Sequence, residues 1–558
     1  VAERRLVSIL QAEEHPAWYQ QAVFYEVLVR GFYDASGDGV GDLRGLIEKL
    51  DYLEWLGIDC LWLLPFYESP LRDGGYDVAD FYKVHPDLGS LDDLIELLRE
   101  AHLRGMRVIA DLVLNHTSDQ HPWFLESRSS RDNPKADWYV WSDTDDRYRD
   151  APIIFLDTET SNWAWAPERE QCYWHRFFSH QPDLNYETPE VQEAMLDVVR
   201  YWLSVGFDGF RLDAVPYLFE AEGTRCENLP GTHTFLKRIR ALVDREFPEA
   251  VLLAEANQTP ERVVEYFGNG DECHMCFHFP LMPRLFMGVK QESARPIQDT
   301  IIATPPIPPR CQWGIFLRNH DELTLEMISE EERAFLWAAF ASDPIARRNV
   351  GIGRRLAPLI ENDRRVAELL YALLLSLPGS PIIYYGDEIL MGDNVYLGDR
   401  DSVRTPMQWS PDRNGGFSRA DPQRLYLAPI NDPVYGYQVV NVESQMRNPS
   451  SFLRWLRELL LARRQEAVFG EGSFGLREVD NPAILAFLRA SANGDRVVAC
   501  VNNLSSRAQP CALDLGGYEG FVPVELLGMT PFPAVPADGR YPLTLAPYGF
   551  LWFELSEP

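Results

Sequence analysis

Four short stretches place acids and imidazoles at the ends of apolar runs, where a core would ordinarily avoid them. They are Asp111-Leu-Val-Leu-Asn115-His116, Gly209-Phe-Arg211-Leu-Asp213, Leu253-Ala-Glu255 and Arg318-Asn319-His320-Asp321-Glu322. Period-two alternation sets Arg211 and Asp213 on one face of their strand. Carboxylates gathered at one rim repel each other and raise at least one pKa. That is poor for stability and useful for glycoside chemistry. One carboxylate attacks an anomeric carbon while a protonated one donates to the leaving oxygen, the pair lying ~5–5.5 Å apart in a retaining enzyme.

A shared rim requires strands that all end on one side. Residues 23–28, 58–64, 106–113, 206–213, 250–255, 274–279, 313–317 and 381–385 read as strands, and 46–56, 91–103, 191–205, 235–247 and 364–377 as helices with apolar residues at helical spacing. This alternation predicts an α/β fold, a (β/α)8 TIM barrel with its chemistry at the C-terminal face. The rhythm breaks between Thr117 and Tyr186 in a stretch rich in Asp, Trp, Tyr and Pro, which predicts a B domain inserted after strand three over 118–185. Short alternating runs separated by Asn, Gly and Pro begin near Gly470 and predict a C-terminal all-β sandwich over 466–558. The barrel then takes 1–117 and 186–465.

Bulk properties agree. A chain of 558 residues, 46% hydrophobic, fits several domains with a large core. With 52 Lys and Arg against 84 Asp and Glu, the net charge of -32 repels phosphate backbones and anionic membranes, so nucleic acid and membrane are not expected partners. No apolar run approaches the ~20 residues of a membrane span. The first twenty residues carry Glu3, Arg4, Arg5, Glu13 and Glu14 and no signal-peptide core. The eight cysteines are scattered and form no disulfide framework, which points to a cytoplasmic protein. Cys273-His-Met-Cys276 has knuckle spacing without a second pair and reads as a buried strand.

The four acid-bearing stretches resemble the conserved regions of the α-amylase family of glycoside hydrolases, and Gln181-Pro-Asp-Leu-Asn185 resembles its fifth region. The resemblance implies Asp213 as nucleophile, Glu255 as general acid/base and Asp321 as stabiliser of the transition state, with Arg211 holding Asp213 ionised. It implies a glucose pocket from Asp73, Tyr76, His116, Phe178, Gln181, His320 and Arg404. The stretches Ala151 to Trp163, Tyr173 to Ser179, Leu253 to Gln258 and Phe316 to Glu326 look like the trehalose-synthase branch of that family. That branch implies a reversible isomerisation of maltose to trehalose with minor hydrolysis, a disaccharide as the small-molecule partner and no organic cofactor. The alternative is a hydrolytic α-glucosidase or oligo-1,6-glucosidase-like enzyme. A non-catalytic barrel, such as a transporter heavy-chain ectodomain, is disfavoured by the full acid set. A homodimer is left open.

Isomerisation needs a closed pocket that holds the released glucose and excludes water. Asn257 and Glu322, beside two of the acids, are candidates for that contact. Two loops are candidate structural calcium sites. Asp34-Ala-Ser36-Gly-Asp38-Gly-Val40-Gly-Asp42 sets oxygen ligands at every second position. The family resemblance implies a second site from Asn115 and Asp183, to which the trehalose-synthase branch adds Tyr217, Leu218 and Glu220.

Overall fold

The computed structural model describes residues 17–557, so most of the N-terminal stretch read for a signal segment lies outside the described residues. Eight parallel strands close into a barrel: β1 (Phe24–Val27), β2 (Cys60–Leu63), β3 (Arg107–Val113), β4 (Gly209–Asp213), β5 (Val251–Ala254), β6 (Met275–Phe277), β7 (Gln312–Phe316) and β8 (Ser380–Tyr384). β8 hydrogen-bonds back to β1 through Phe24 opposite Ile382. The strands are buried along nearly their whole length, as expected for a parallel sheet clothed by helices on one face and packed side chains on the other. Cys276, in β6, is fully buried, and no cysteine among the described residues is disulfide-bonded.

Two of the expected elements differ from those observed. The helix expected over 46–56 is two helices, Leu43–Glu48 and Leu50–Leu56, because Lys49 leaves helical geometry at φ -104°, ψ 0°. Its ammonium lies 3.7 Å from the Tyr33 ring centre and 4.5 Å from that of Trp409. The strand expected from 206 starts at Gly209, since Gly206 instead caps the preceding helix Pro189–Val205 with φ 126°.

Between β3 and the helix Pro189–Val205 the chain leaves the barrel rim. It forms the helix Pro122–Ser129 and a three-stranded antiparallel sheet of Trp141–Ser142, Gln171–Trp174 and Trp163–Ala166. A bridge from His116 to Asp183 returns it to the barrel. After the helix Phe452–Gln465 the chain forms the C-terminal β domain, a six-stranded sheet facing a two-stranded one. In the strand Ile484–Ala490, Ile484, Ala486 and Leu488 face the second sheet while Leu485 and Phe487 join the barrel core. Both faces are thereby buried, and Arg489 fastens the domain to the barrel helix Arg364–Ser376 by donating to the Ser376 carbonyl at 2.9 Å.

Gly209 opens the strand that carries Arg211 and Asp213. It has φ 148°, and a Cβ there would sit 2.1 Å from the Val251 carbonyl oxygen on β5. Gly209→Ala is expected to push β4 off β5 and to destabilise the barrel by about 2–3 kcal/mol. The check is thermal unfolding followed by circular dichroism; an unchanged midpoint would show that the close approach is not needed.

Candidate active site

Asp111, Asp213 and Glu255 come together because β3, β4 and β5 are neighbours in register. Asp111 lies beside Arg211, and Arg211 beside Leu253. The Arg211 guanidinium, 1% exposed, is the common partner. It donates to Asp213 at 2.5 Å and Asp111 at 2.8 Å, and lies 2.7 Å from Glu255. Trp62 Nε1 and the Tyr76 hydroxyl donate to the second oxygen of Asp111 at 3.2 and 2.9 Å. Ala214, immediately after Asp213, is held at φ 52°, a left-handed conformation unusual for alanine. That geometry sends its backbone N–H to Glu255 at 3.1 Å.

Asp321 stands across the cavity in a different environment. Arg404 and Arg400 donate to it at 2.9 and 3.0 Å, and His320 Nε2 lies 3.1 Å away. Arg400 also grips Asp73, which accepts from Gln181 at 2.8 Å. His320 is anchored from beneath by Glu26 of β1 and stacks on Tyr76 at 5.4 Å. These neighbours separate the acids. Burial raises Asp213 to about 6 against the pull of Arg211. Burial raises Glu255 to about 7, with Asp213 and Asp321 adding to it. Burial also works to raise Asp321, but His320 and the two arginines outweigh it and hold the carboxyl well below the usual range. Burial lowers His116 to about 3, so its ring is neutral, and its Nε2 meets no hydrogen-bond partner.

The cavity is about 290 Å³, near the small end of small-molecule pockets (~300–1,000 Å³). Asp213, Glu255 and Asp321 line it with Asp73, Tyr76, His116, Asn257 and Glu322. Asn257 donates to Glu326 at 2.9 Å and to Thr324 at 3.3 Å, while its own oxygen has no partner. Glu322 accepts from Asn349 at 3.1 Å. The remaining substrate candidates stand one layer back. Arg211, Gln181, His320 and Arg404 support side chains that reach the cavity, and Phe178 packs behind Phe155, ring centres 4.4 Å apart. Phe155 and Phe177, not Phe178, present aromatic surface to the cavity.

Several lining or supporting groups escaped the sequence reading. Arg400 precedes Arg404 by four residues in an Asp-Arg-Asp run, which was a usable signal. Glu26 is a charge inside an apolar strand, also a signal. Glu326 and Asn349 had none, because loops that fold back over a rim leave no periodicity.

Asn115, Asp183 and Glu220 each keep a buried oxygen that accepts no hydrogen bond. Burial raises Asp183 to about 7 and pushes Glu220 well up, with Asp183 adding to the latter. Three orphaned oxygens of which two are carboxylate fit a hard cation. Tyr217, half-buried, and Leu218, buried, stand just ahead of Glu220 on the same turn. In the loop at 34–42 the oxygens already have partners. Asp34 accepts from Gly37, Gly39 and Ser36 at 2.6, 2.8 and 3.0 Å, Asp42 from Gly45 and Ser36 at 2.6 and 3.0 Å, and Asp38 from Val40 at 2.9 Å. Among the described residues no three His, Cys, Asp or Glu side chains are grouped as a metal site would group them. Among the described residues no helix is long and apolar enough to cross a membrane.

Comparison with known proteins matches residues 26–337 and 353–472 to the family "Alpha amylase, catalytic domain" and residues 474–552 to "Maltogenic Amylase, C-terminal domain". The chain is 63% identical to the trehalose synthase/amylase TreS of Mycobacterium tuberculosis over 97% of its own length and 91% of that protein's. It is 31% identical to an oligo-1,6-glucosidase of Parageobacillus thermoglucosidasius, covering 88% and 91% of the two chains. Its structure superposes on the trehalulose synthase MutB of Pseudomonas mesoacidophila MX-45 with a TM-score of 0.78 at 27% identity, covering 97% of this chain and 100% of that one. The chain is an enzyme of the α-amylase family.

Proposed function

We propose that this enzyme interconverts maltose and trehalose by intramolecular transfer of a glucosyl group. The observation that supports it most directly is the cover over the cavity. Pro152, Ile153, Ile154, Phe155 and Leu156 of the inserted domain line it, and Asn349 and Val350 of a second excursion line it beside them. A hydrolase needs water at the glucosyl-enzyme, whereas an isomerase needs it kept out. The similarity to trehalose synthases supports the same choice.

In this reading Asp213 attacks the anomeric carbon and Glu255 protonates the departing oxygen. One guanidinium spans both carboxyl groups, a separation in keeping with the ~5–5.5 Å of retaining enzymes. Asp321, kept ionised, faces the positive charge that develops on the ring. The freed glucose stays, turns, and offers its anomeric hydroxyl to the same carbon while Glu255 takes the proton. Asn257 and Glu322 hold it, the unpartnered Asn257 oxygen accepting from a sugar hydroxyl. The second reading, a hydrolytic α-glucosidase, uses the same trio and is supported by the oligo-1,6-glucosidase relative. We place the reaction in the cytoplasm, which a chain without a disulfide framework suits.

Calcium is proposed at Asn115, Asp183, Tyr217, Leu218 and Glu220, tying the inserted domain to the barrel by cancelling buried negative charge. The carboxylates of Asp34, Asp38 and Asp42 keep second lone pairs, so with Ser36 and the Val40 carbonyl that loop is the second proposed site.

Three measurements test these readings. Incubated with maltose, the purified enzyme should yield trehalose as main product with minor glucose, resolved by anion-exchange chromatography; glucose alone would establish the hydrolase. Asp213 must be ionised to attack and Glu255 protonated to donate. Turnover should therefore rise as pH passes about 6 and fall as it passes about 7. A rate that stays flat from pH 5 to 9 would contradict that assignment. Elemental analysis should find calcium in the purified chain, one ion or two, and Glu220→Gln should weaken its binding ~10-fold or more. Metal-free protein that melts identically with and without a chelator would end the calcium proposal.

A further inference from the structure

Two contacts fasten the lid over the cavity to its neighbours: Phe155 packs against the Arg400 guanidinium at 5.0 Å, and Asp157 pairs with Asn349. Asn349 donates its backbone N–H to the Asp157 carboxylate at 2.8 Å, and the Asp157 N–H donates to the Asn349 side-chain oxygen at 3.4 Å. Asp157 follows directly on the lining segment 152–156, and Asn349 is itself a lining residue with φ 47°. The pair therefore joins the two parts of the cover. Its remaining amide reaches inward to Glu322 at 3.1 Å.

The neighbouring residue braces this arrangement. The Arg348 guanidinium donates to five carbonyls: Ile345 and Arg347 at 2.8 Å, Asp399 at 2.8 Å, and Val395 and Leu397 at 3.1 Å. It binds the Asn349 loop to the loop that delivers Arg400 to Asp321 and Asp73. Arg348 and Asn349 lie at 338–352, between the two stretches matched by the family's catalytic-domain description, while Asp157 lies within the first of them.

We infer that the Asp157–Asn349 clasp holds the cavity closed over the glucosyl-enzyme and so sets the partition between sugar transfer and hydrolysis. The inference rests on the isomerase reading above. At the branch point the ester bond between Asp213 and the anomeric carbon breaks in either case. With water the new bond is to water oxygen, and with retained glucose it is to the anomeric hydroxyl; the displaced proton goes to Glu255 in both. The clasp acts on which oxygen is present, not on the chemistry. Asp157 touches neither the cavity nor the reacting groups, so it is a positioning residue.

The test uses Asp157→Ala, an exposed substitution that should leave the thermal midpoint unchanged. With maltose as substrate, the share of glucose among products should rise ~3-fold, the size expected from losing one or two hydrogen bonds. Added 13C-labelled glucose should enter the disaccharide pool more readily than in the wild type, because the cavity now exchanges its contents. Asp157→Asn keeps an acceptor for the Asn349 N–H and should behave like the wild type. If neither the glucose share nor the label incorporation changes in Asp157→Ala, the clasp is overturned. If the wild type makes no trehalose, the isomerase reading falls instead, and label incorporation alone then decides the clasp.

Discussion

The floor of the cavity depends on one buried guanidinium. Arg211 meets Asp111, Asp213 and Glu255 at once, with both of its terminal nitrogens engaged. Three carboxyl groups brought together at neighbouring strand ends would otherwise protonate or drive the strands apart. The fork of arginine suits this role and the point charge of lysine does not, because only a planar group can hold two carboxylates at a set angle. Breaking a buried pair of this kind typically costs ~3–5 kcal/mol, since the orphaned charges stay in the protein. Even with the arginine present, burial leaves Asp213 and Glu255 with raised pKa values. A carboxyl raised in this way favours the folded state while protonated and opposes it once pH has climbed through the folded value. The site is therefore a standing load on the barrel near neutral pH.

Asp321 shows what the load is for. It is half-buried, as Glu255 is, yet its pKa moves the opposite way, because a protonated His320 and two arginines face it. His320 is held charged, near 9, by Asp321 itself and by Glu26 beneath it, against the effect of burial. Three acids in one cavity thus sit in three electrostatic environments, which is how one pocket supplies an anion and a proton donor together.

The barrel and its acids were legible in the sequence for a physical reason. Strands buried on both faces are continuous apolar runs, and the polar residue that ends such a run is conspicuous. All eight strands were found this way, as was each member of the trio. What the residues left undecided was which of several neighbouring loop side chains faces the cavity. Phe178 was taken for a cavity wall, yet Phe155 and Phe177 fill that role. Aromatic neighbours one residue apart look alike in sequence, and only the turn of the backbone decides which ring faces in. Arg404 was expected at the sugar and instead stands behind Asp321, with Arg400 in front. Lys49 broke a helix whose apolar spacing ran through it, because its side chain found two aromatic rings.

The same distinction separates the general activity from the particular one. The carboxylates, Arg211 and His320 come from strand ends, where barrel geometry leaves little freedom. The cavity is covered by two long excursions, 152–157 and the hairpin 347–352, that no barrel strand positions. Those excursions must be held by a few specific contacts of modest strength, and each contact is worth little against the fold as a whole. A difference of ~1.4 kcal/mol in closure is nevertheless tenfold in the population of an open cavity. Small interactions at the cover can thus shift that population while the buried acids beneath stay as the barrel sets them.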